Sequence, residues 1–179
     1  MRIISGKHKG RNLLAPKTTD VRPTLDVVKQ AFFTKLQFEI DGALFLDLFG
    51  GSGAMGIEAL SRGADVTICD NNPESIDLIR HNLKLIGEKC DVQLIDYKKF
   101  LKTNKKQFDI IYLDPPYEHK KAYESALKLI KENTQLSPNG IVVCEHYFET
   151  KLDYSDYQVD CQKKYGTVVL TYLRPSQQN

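Results

Sequence analysis

The residues best suited to chemistry in this sequence form a tetrapeptide, Asp114-Pro115-Pro116-Tyr117, directly after the apolar run Phe108–Leu113. Two prolines behind a buried strand end its ladder and stiffen the turn, because proline has a fixed φ and no N–H. The Asp114 carboxylate and a proline carbonyl then make a fixed pair of acceptors with the Tyr117 ring beside them. An exocyclic amine on a nucleobase is a poor nucleophile, since its lone pair is delocalised into the ring. Two acceptors gripping its two hydrogens draw the nitrogen towards tetrahedral geometry and free that pair. Tyr117 can stack on the base, worth ~1–3 kcal/mol, and positioning does much of the rest. Asp114 can also relay the proton that the nitrogen releases. Any one of these residues alone would suit a proline turn that merely ends a strand; the four in order favour chemistry.

A second constellation lies upstream, Asp47-Leu48-Phe49-Gly50-Gly51-Ser52-Gly53-Ala54-Met55-Gly56. Gly51, Gly53 and Gly56 satisfy G-x-G-x-x-G, whose glycines let backbone turn tightly and approach a ligand at a helix N-terminus. Asp70, about 20 residues beyond, is placed to accept from ribose hydroxyls. That pattern fits NAD and S-adenosylmethionine equally. Asp47 separates them: a carboxylate at the mouth of the loop repels a pyrophosphate and suits a cationic amine and sulfonium. Asp96 can meet the adenine amino group and Tyr97 can flank the ring, although a helix cap and a packing aromatic describe these two as well. Phe49 and Asn71 complete the candidate cofactor set.

These residues must be held by a particular framework. Leu44–Leu48, Val66–Cys69, Val92–Ile95, Phe108–Leu113 and Ile141–His146 read as buried strands, and stretches at about 54–62, 73–86 and 121–132 as helices. Pro73 opens the second of these helices and Gly87 closes it. This alternation predicts a parallel sheet covered on both faces, with ligand beyond the strands' carboxyl ends near the switch point. Residues 158–164 and 167–173, around Tyr165-Gly166, read as an antiparallel hairpin. Before the first strand, Thr24 can cap a helix reaching about Phe38, with Leu25, Val28, Phe32 and Leu36 at helical spacing. Arg2–Ser5 and Arg11–Leu14, joined by a polar Gly-bounded connector, predict an N-terminal hairpin.

The totals agree with one α/β domain: 179 residues, 41% hydrophobic and 27% charged. No apolar run is long enough to span a bilayer and no signal peptide is evident, so the cytoplasm is the expected compartment. Four scattered cysteines without a C-x-x-C pair predict neither zinc nor a disulfide framework. Net charge is +2, but residues 1–24 hold six Lys or Arg against Asp20 alone. This basic arm (1–23), preceding a catalytic domain at 24–179, offers Arg2, Lys7, Lys9, Arg11, Arg22 and Thr24 as candidate RNA contacts. A solvated terminal segment is the bland description of the same stretch.

The glycine loop and Asp114-Pro115-Pro116-Tyr117 resemble the class I methyltransferases that modify amino groups. Met1-Arg2-Ile3-Ile4-Ser5-Gly6-Lys7-His8-Lys9-Gly10-Arg11, and Arg22-Pro23-Thr24 before a helix, resemble one subgroup of them: the RsmD-type 16S rRNA guanine-N2 methyltransferases of bacteria. The likeness runs through essentially the whole chain. It implies a Rossmann-like fold of seven strands, mostly parallel with the last antiparallel, and S-adenosylmethionine as methyl donor without a metal. It further implies Asp114 to Tyr117 as the catalytic loop, Gly51, Gly53 and Asp70 around the cofactor, and Arg22 to Thr24 near the pocket. Asp70 stands where many relatives carry Glu, and both accept from ribose. The implied partner is the small ribosomal subunit or its precursor, which a monomer would suit. The residue chemistry alone reaches only an exocyclic amine. A DNA adenine-N6 enzyme would share the tetrapeptide, but reading a duplex usually needs extra mass. An NAD-dependent oxidoreductase explains neither Asp47 nor the tetrapeptide, and a non-catalytic RNA-binding module has no need of the latter.

Overall fold

The computed structural model describes residues 1–16, 23–116 and 120–176, the first three residues of its opening helix by backbone only. Helix α1 (Pro23–Lys35) precedes β1 (Leu44–Asp47), α2 (Ala54–Ser61), β2 (Asp65–Asp70), α3 (Pro73–Ile86) and β3 (Asp91–Leu94). Then come α4 (Tyr97–Thr103), β4 (Phe108–Leu113), α5 (Lys120–Glu132), β5 (Leu136–Tyr147), β6 (Tyr157–Tyr165) and β7 (Val168–Pro175). The strands make one seven-stranded sheet in the order β3-β2-β1-β4-β5-β7-β6. β1 lies parallel to β2 and β4, and β4 to β5. β7 runs against its neighbours β5 and β6, so the antiparallel element falls at the end of the chain, as the sequence predicts. The strand order reverses between β1 and β4, which opens a crevice at their carboxyl ends.

Both faces of the sheet are buried because its central strands are apolar at nearly every position. On one face Phe45, Ile110, Tyr112, Ile141 and Val143 pack under Phe32 and Phe33 of α1 and Ile57 of α2. On the other, Leu46, Ile111, Leu113, Val142 and Cys144 pack under Phe100 and Leu101 of α4 and Leu127 and Ile130 of α5. Phe32 anchors the first layer, edge-on to Phe33 at 4.8 Å and to Tyr112 at 5.3 Å between ring centroids. Helix α3 starts where the sequence places it: the Asn72 side chain accepts from Glu74 N, Pro73 occupies the first turn and Gly87 closes the end at φ 74°.

Two differences from the sequence reading stand out. Helix α4 is additional; with seven residues and only Phe100 and Leu101 buried, it is too short to show a helical period. The N-terminal hairpin is reduced to one bridge, Arg2 to Asn12. It is held by Ile3 N to Arg11 O at 3.0 Å and Leu13 N to Met1 O at 2.8 Å. The ladder goes no further because the next two amides have another acceptor. Ile4 N and Ser5 N donate to the buried Glu58 carboxylate of α2 at 2.8 and 3.0 Å. Ile3 and Leu13 are buried in the same core as α1 and α2, so the arm is packed into the domain. Among the described residues no helix is long and apolar enough to cross a membrane.

Glu58 also accepts from Arg62 Nε at 2.8 Å and lies 3.8 Å from the buried Lys29 Nζ. Removing this carboxylate would leave two amides without their acceptor and the interior Lys29 ammonium without its buried counter-charge, with Asp26 at 3.9 Å still beside it. Glu58→Ala is therefore expected to lower stability by about 3–5 kcal/mol, measured by thermal or urea unfolding; an unchanged midpoint would dismiss Glu58 as the arm's anchor.

Candidate active site

The crevice between β1 and β4 opens into two adjoining cavities that share Phe49, Gly51 and Asp114. The first, of about 460 Å³, is walled by Asp70, Asn71, Ile95, Asp96, Tyr97, Pro115 and Pro116. The second, of about 530 Å³, extends towards the arm and is walled by Met1, Arg2, Asn12, Lys29, Asp47, Tyr112 and Glu145.

The glycine loop sets the boundary between them. Gly53 sits in the left-handed region at φ 80° immediately before α2, a conformation that costs glycine nothing. Gly56, one turn into α2, lies so close to β2 that a Cβ there would meet Ile68 Cδ1 at 2.6 Å. That close approach lets Gly56 N donate to Asp47 Oδ2 at 3.0 Å, so β1 ends with its carboxylate against the positive end of α2. Asp47 Oδ1 is buried with no hydrogen-bond partner among the described residues. Burial pushes the Asp47 carboxyl up to about 7, against the Gly56 N–H, which favours the charged form. A desolvated carboxylate with one oxygen unspent and open space beside it suits a cationic donor.

Asp70, at the end of β2, receives Gly51 N and Asn72 N, each at 2.8 Å, on its two oxygens. It thereby ties the loop to β2 while still facing the first cavity. Asp96 caps α4, accepting from Lys98 N at 2.9 Å and Lys99 N at 3.2 Å, and also lines that cavity. The cap and the cavity-facing role therefore coincide in one residue. Phe49 and Tyr97 meet at 5.1 Å between centroids and form an aromatic wall. Seven of the eight candidate cofactor residues thus border the two cavities, and Gly53 shapes the turn beneath them.

Asp114 stands at the junction with Pro115 and Pro116 behind it, while Tyr117 lies outside the described residues. Its carboxyl is pushed well above the usual range, by desolvation first and then by the neighbouring charges of Glu145 and Asp47. Glu145 is also displaced upward by burial, with the Tyr112 hydroxyl, which donates to its Oε2, acting in the opposite direction. The sequence reading missed Glu145, Tyr112 and Lys29 as cavity residues. A signal existed for two of them: Glu145 is the single acid within Ile141–His146, and Lys29 sits in the apolar stripe of α1. Lys29 donates to Arg2 O at 2.7 Å and holds the arm over the second cavity.

The basic residues separate into two groups. Arg2 lines the second cavity. Lys7 pairs with Glu88 at 2.6 Å and Arg11 donates to Leu85 O at 2.9 Å, near the C-terminal ends of α2 and α3. Those helices run away from the strands' carboxyl ends, so the arm's tip, with Lys9, lies at the edge of the sheet remote from the cavities. Arg22 lies outside the described residues, and Thr24 is described by backbone only. Among the described residues no group of three or more His, Cys, Asp or Glu is arranged to hold a metal ion.

This architecture has known counterparts. The family model described as conserved hypothetical protein 95 matches residues 1–174. The ribosomal RNA small subunit methyltransferase D of Haemophilus influenzae is 36% identical over 159 residues, covering 86% of this chain and 80% of that protein. The yhhF structure from Escherichia coli superimposes with a TM-score of 0.86 at 30% identity, covering 99% of both chains. The Thermus thermophilus 16S rRNA N2 G1207 methyltransferase RsmC, solved with AdoMet and guanosine, shares the fold. There the TM-score is 0.70 at 21% identity, over 89% of this chain and 44% of that one. With a family match across nearly its whole length, a Rossmann-like sheet and an acidic glycine-loop site at the switch point, this chain belongs to the RsmD-type methyltransferase family.

Proposed function

We propose that this protein transfers a methyl group from S-adenosylmethionine to the exocyclic N2 amine of a guanine in 16S rRNA, presented by the small ribosomal subunit or its precursor. The observation that carries the reading is Asp114 at the junction of two cavities, one suited to a nucleoside and the other beside a buried, unspent carboxylate. S-adenosylmethionine supplies an electrophilic methyl group on a sulfonium. In this reading Asp70 accepts from the ribose hydroxyls, Asp96 from the adenine amine, and Phe49 and Tyr97 flank the ring. Asn71 borders the same space, and Gly51 and Gly53 let the backbone approach. Asp47 takes the cationic amino group on its free oxygen.

On the substrate side, Asp114 and the Pro115 carbonyl each accept one N–H of the target amine, with Pro116 stiffening the turn and Tyr117 stacking on the base. With the donor bound, the nitrogen lone pair would form the new N–C bond as the S–C pair withdraws to sulfur, and Asp114 would take the proton that the nitrogen releases. Desolvation of Asp114, with the nearby charges of Glu145 and Asp47 adding to it, keeps the carboxylate basic enough to accept that proton. Arg2, Lys7, Lys9, Arg11, Arg22 and Thr24 would contact the RNA, Arg2 at the mouth of the base cavity, Lys7, Lys9, Arg11 and Arg22 along the arm, and Thr24 at the start of the catalytic domain. The same reading places the reaction in the cytoplasm and needs a single copy of the chain.

Asp114→Ala is expected to slow methyl transfer by about 10²–10⁴-fold, with the S-adenosylmethionine dissociation constant within about twofold of wild type; retained turnover would remove Asp114 from the reaction. The Asp47 carboxyl must be ionised to hold a cation. Since its folded value is raised to about 7, cofactor affinity should strengthen as pH rises from 5 towards 8 and then level off. Asp47→Asn should flatten that dependence and weaken binding about tenfold at pH 8; isothermal titration would expose a slope that survives the substitution. The proposal as a whole is tested by offering labelled S-adenosylmethionine with unmethylated small subunits, naked rRNA and duplex DNA, followed by nucleoside digestion. N2-methylguanosine from ribosomal RNA is the expected product, and N6-methyladenine from DNA would overturn the target.

A further inference from the structure

Three acids end on one face of the sheet. Side chains alternate along each strand, so Asp47 follows Phe45 in β1, Asp114 follows Ile110 and Tyr112 in β4, and Glu145 follows Ile141 and Val143 in β5. Leu113 pairs with Cys144 in the parallel ladder, which makes Asp114 and Glu145 lateral neighbours just beyond it. Both line the cavity that also contains Arg2 and Asn12 of the arm. The proposed transfer uses Asp47 for the cofactor and Asp114 for the amine, and it assigns nothing to Glu145. Yet Glu145 is only 4% exposed, and placing a second carboxylate beside Asp114 costs free energy through desolvation and repulsion. The Tyr112 hydroxyl donates to its Oε2, which fixes its orientation and works against burial in favour of the acceptor-only form.

An acceptor next to the amine-gripping group discriminates among bases. In adenine the exocyclic amine adjoins N1, an unprotonated acceptor, and in cytosine it adjoins N3, also an acceptor. Guanine differs, because its N2 amine adjoins N1–H, a donor. A carboxylate beside Asp114 meets the first two lone pair to lone pair and the third with a hydrogen bond. We propose that Glu145 accepts from guanine N1–H and is the residue that selects guanine over adenine and cytosine. This rests on the exocyclic-amine methyltransferase reading of the same site, and it gives guanine a basis in the cavity's own acceptors.

The test uses subunit RNA carrying either guanine or 2-aminopurine at the position that nucleoside mapping identifies as methylated. 2-Aminopurine keeps the 2-amino group but has a lone pair at N1. Wild type is expected to favour guanine by about 10- to 100-fold in kcat/KM, as for a site whose buried polar group is left unpaired. In Glu145→Gln, whose amide can turn either oxygen or N–H to the base, the guanine rate falls, the 2-aminopurine rate holds or rises, and the ratio moves towards one. Cofactor affinity stays unchanged. A guanine preference equal to wild type in Glu145→Gln would overturn Glu145's role while leaving the proposed function intact. A wild-type product methylated on adenine would overturn both. Should Glu145→Gln fail to fold, Tyr112→Phe reads the same ratio. Loss of the orienting hydroxyl should reduce the guanine preference several-fold, and an undiminished preference would count against Glu145.

Discussion

The end of β1 is where the fold and the site depend on the same contact. Asp47 lies at the last position of a buried strand, and the amide of Gly56 is the donor that its Oδ2 finds there. That bond requires α2 to pass close over β2, and only glycine at position 56 leaves room beside Ile68. The glycine loop, the start of α2 and the boundary of both cavities follow from this approach. One carboxylate oxygen satisfies the fold, and the other stays buried without a partner among the described residues.

The carboxyl ends of β1, β4 and β5 together bring three acids into low-dielectric space. Burial raises the affinity of Asp47, Asp114 and Glu145 for protons, and at Asp114 the charges of Glu145 and Asp47 add to it. A protein that needed only stability would gain from apolar residues at these positions. Such an arrangement suits cationic groups and hydrogen-bond donors, which offset the cost of keeping buried carboxylates charged.

The arm completes the second cavity, and α2 and α1 hold it there. Glu58 takes two amides of the arm, Lys29 takes a third group, the Arg2 carbonyl, and Asn82 of α3 exchanges hydrogen bonds with both backbone groups of Leu14. A basic terminal segment is thereby converted from a solvated tail into a wall. Its charges are divided between the cavity mouth, at Arg2, and the remote edge of the sheet, at Lys7 and Arg11.

The sequence by itself determined the alternating elements and most of the residues that wall the two cavities. Those features are local: strand runs of apolar residues, Pro73 and Gly87 around α3, glycines after β1, and acids at strand ends. It also identified the tetrapeptide, since proline and aspartate in that order act through their own backbone and carboxylate. It left open whether Asp96 caps a helix or faces the ligand, and in the structure Asp96 caps α4 and lines the first cavity. Tertiary structure alone decided which distant residues meet. Glu58 with the arm, Glu145 with Tyr112 and Asp114, and Lys29 with Arg2 are separated by 27 to 54 residues or brought together by strand register. No local pattern encodes such pairings, because sheet order and register are set by how whole helices and strands bury their apolar faces against one another.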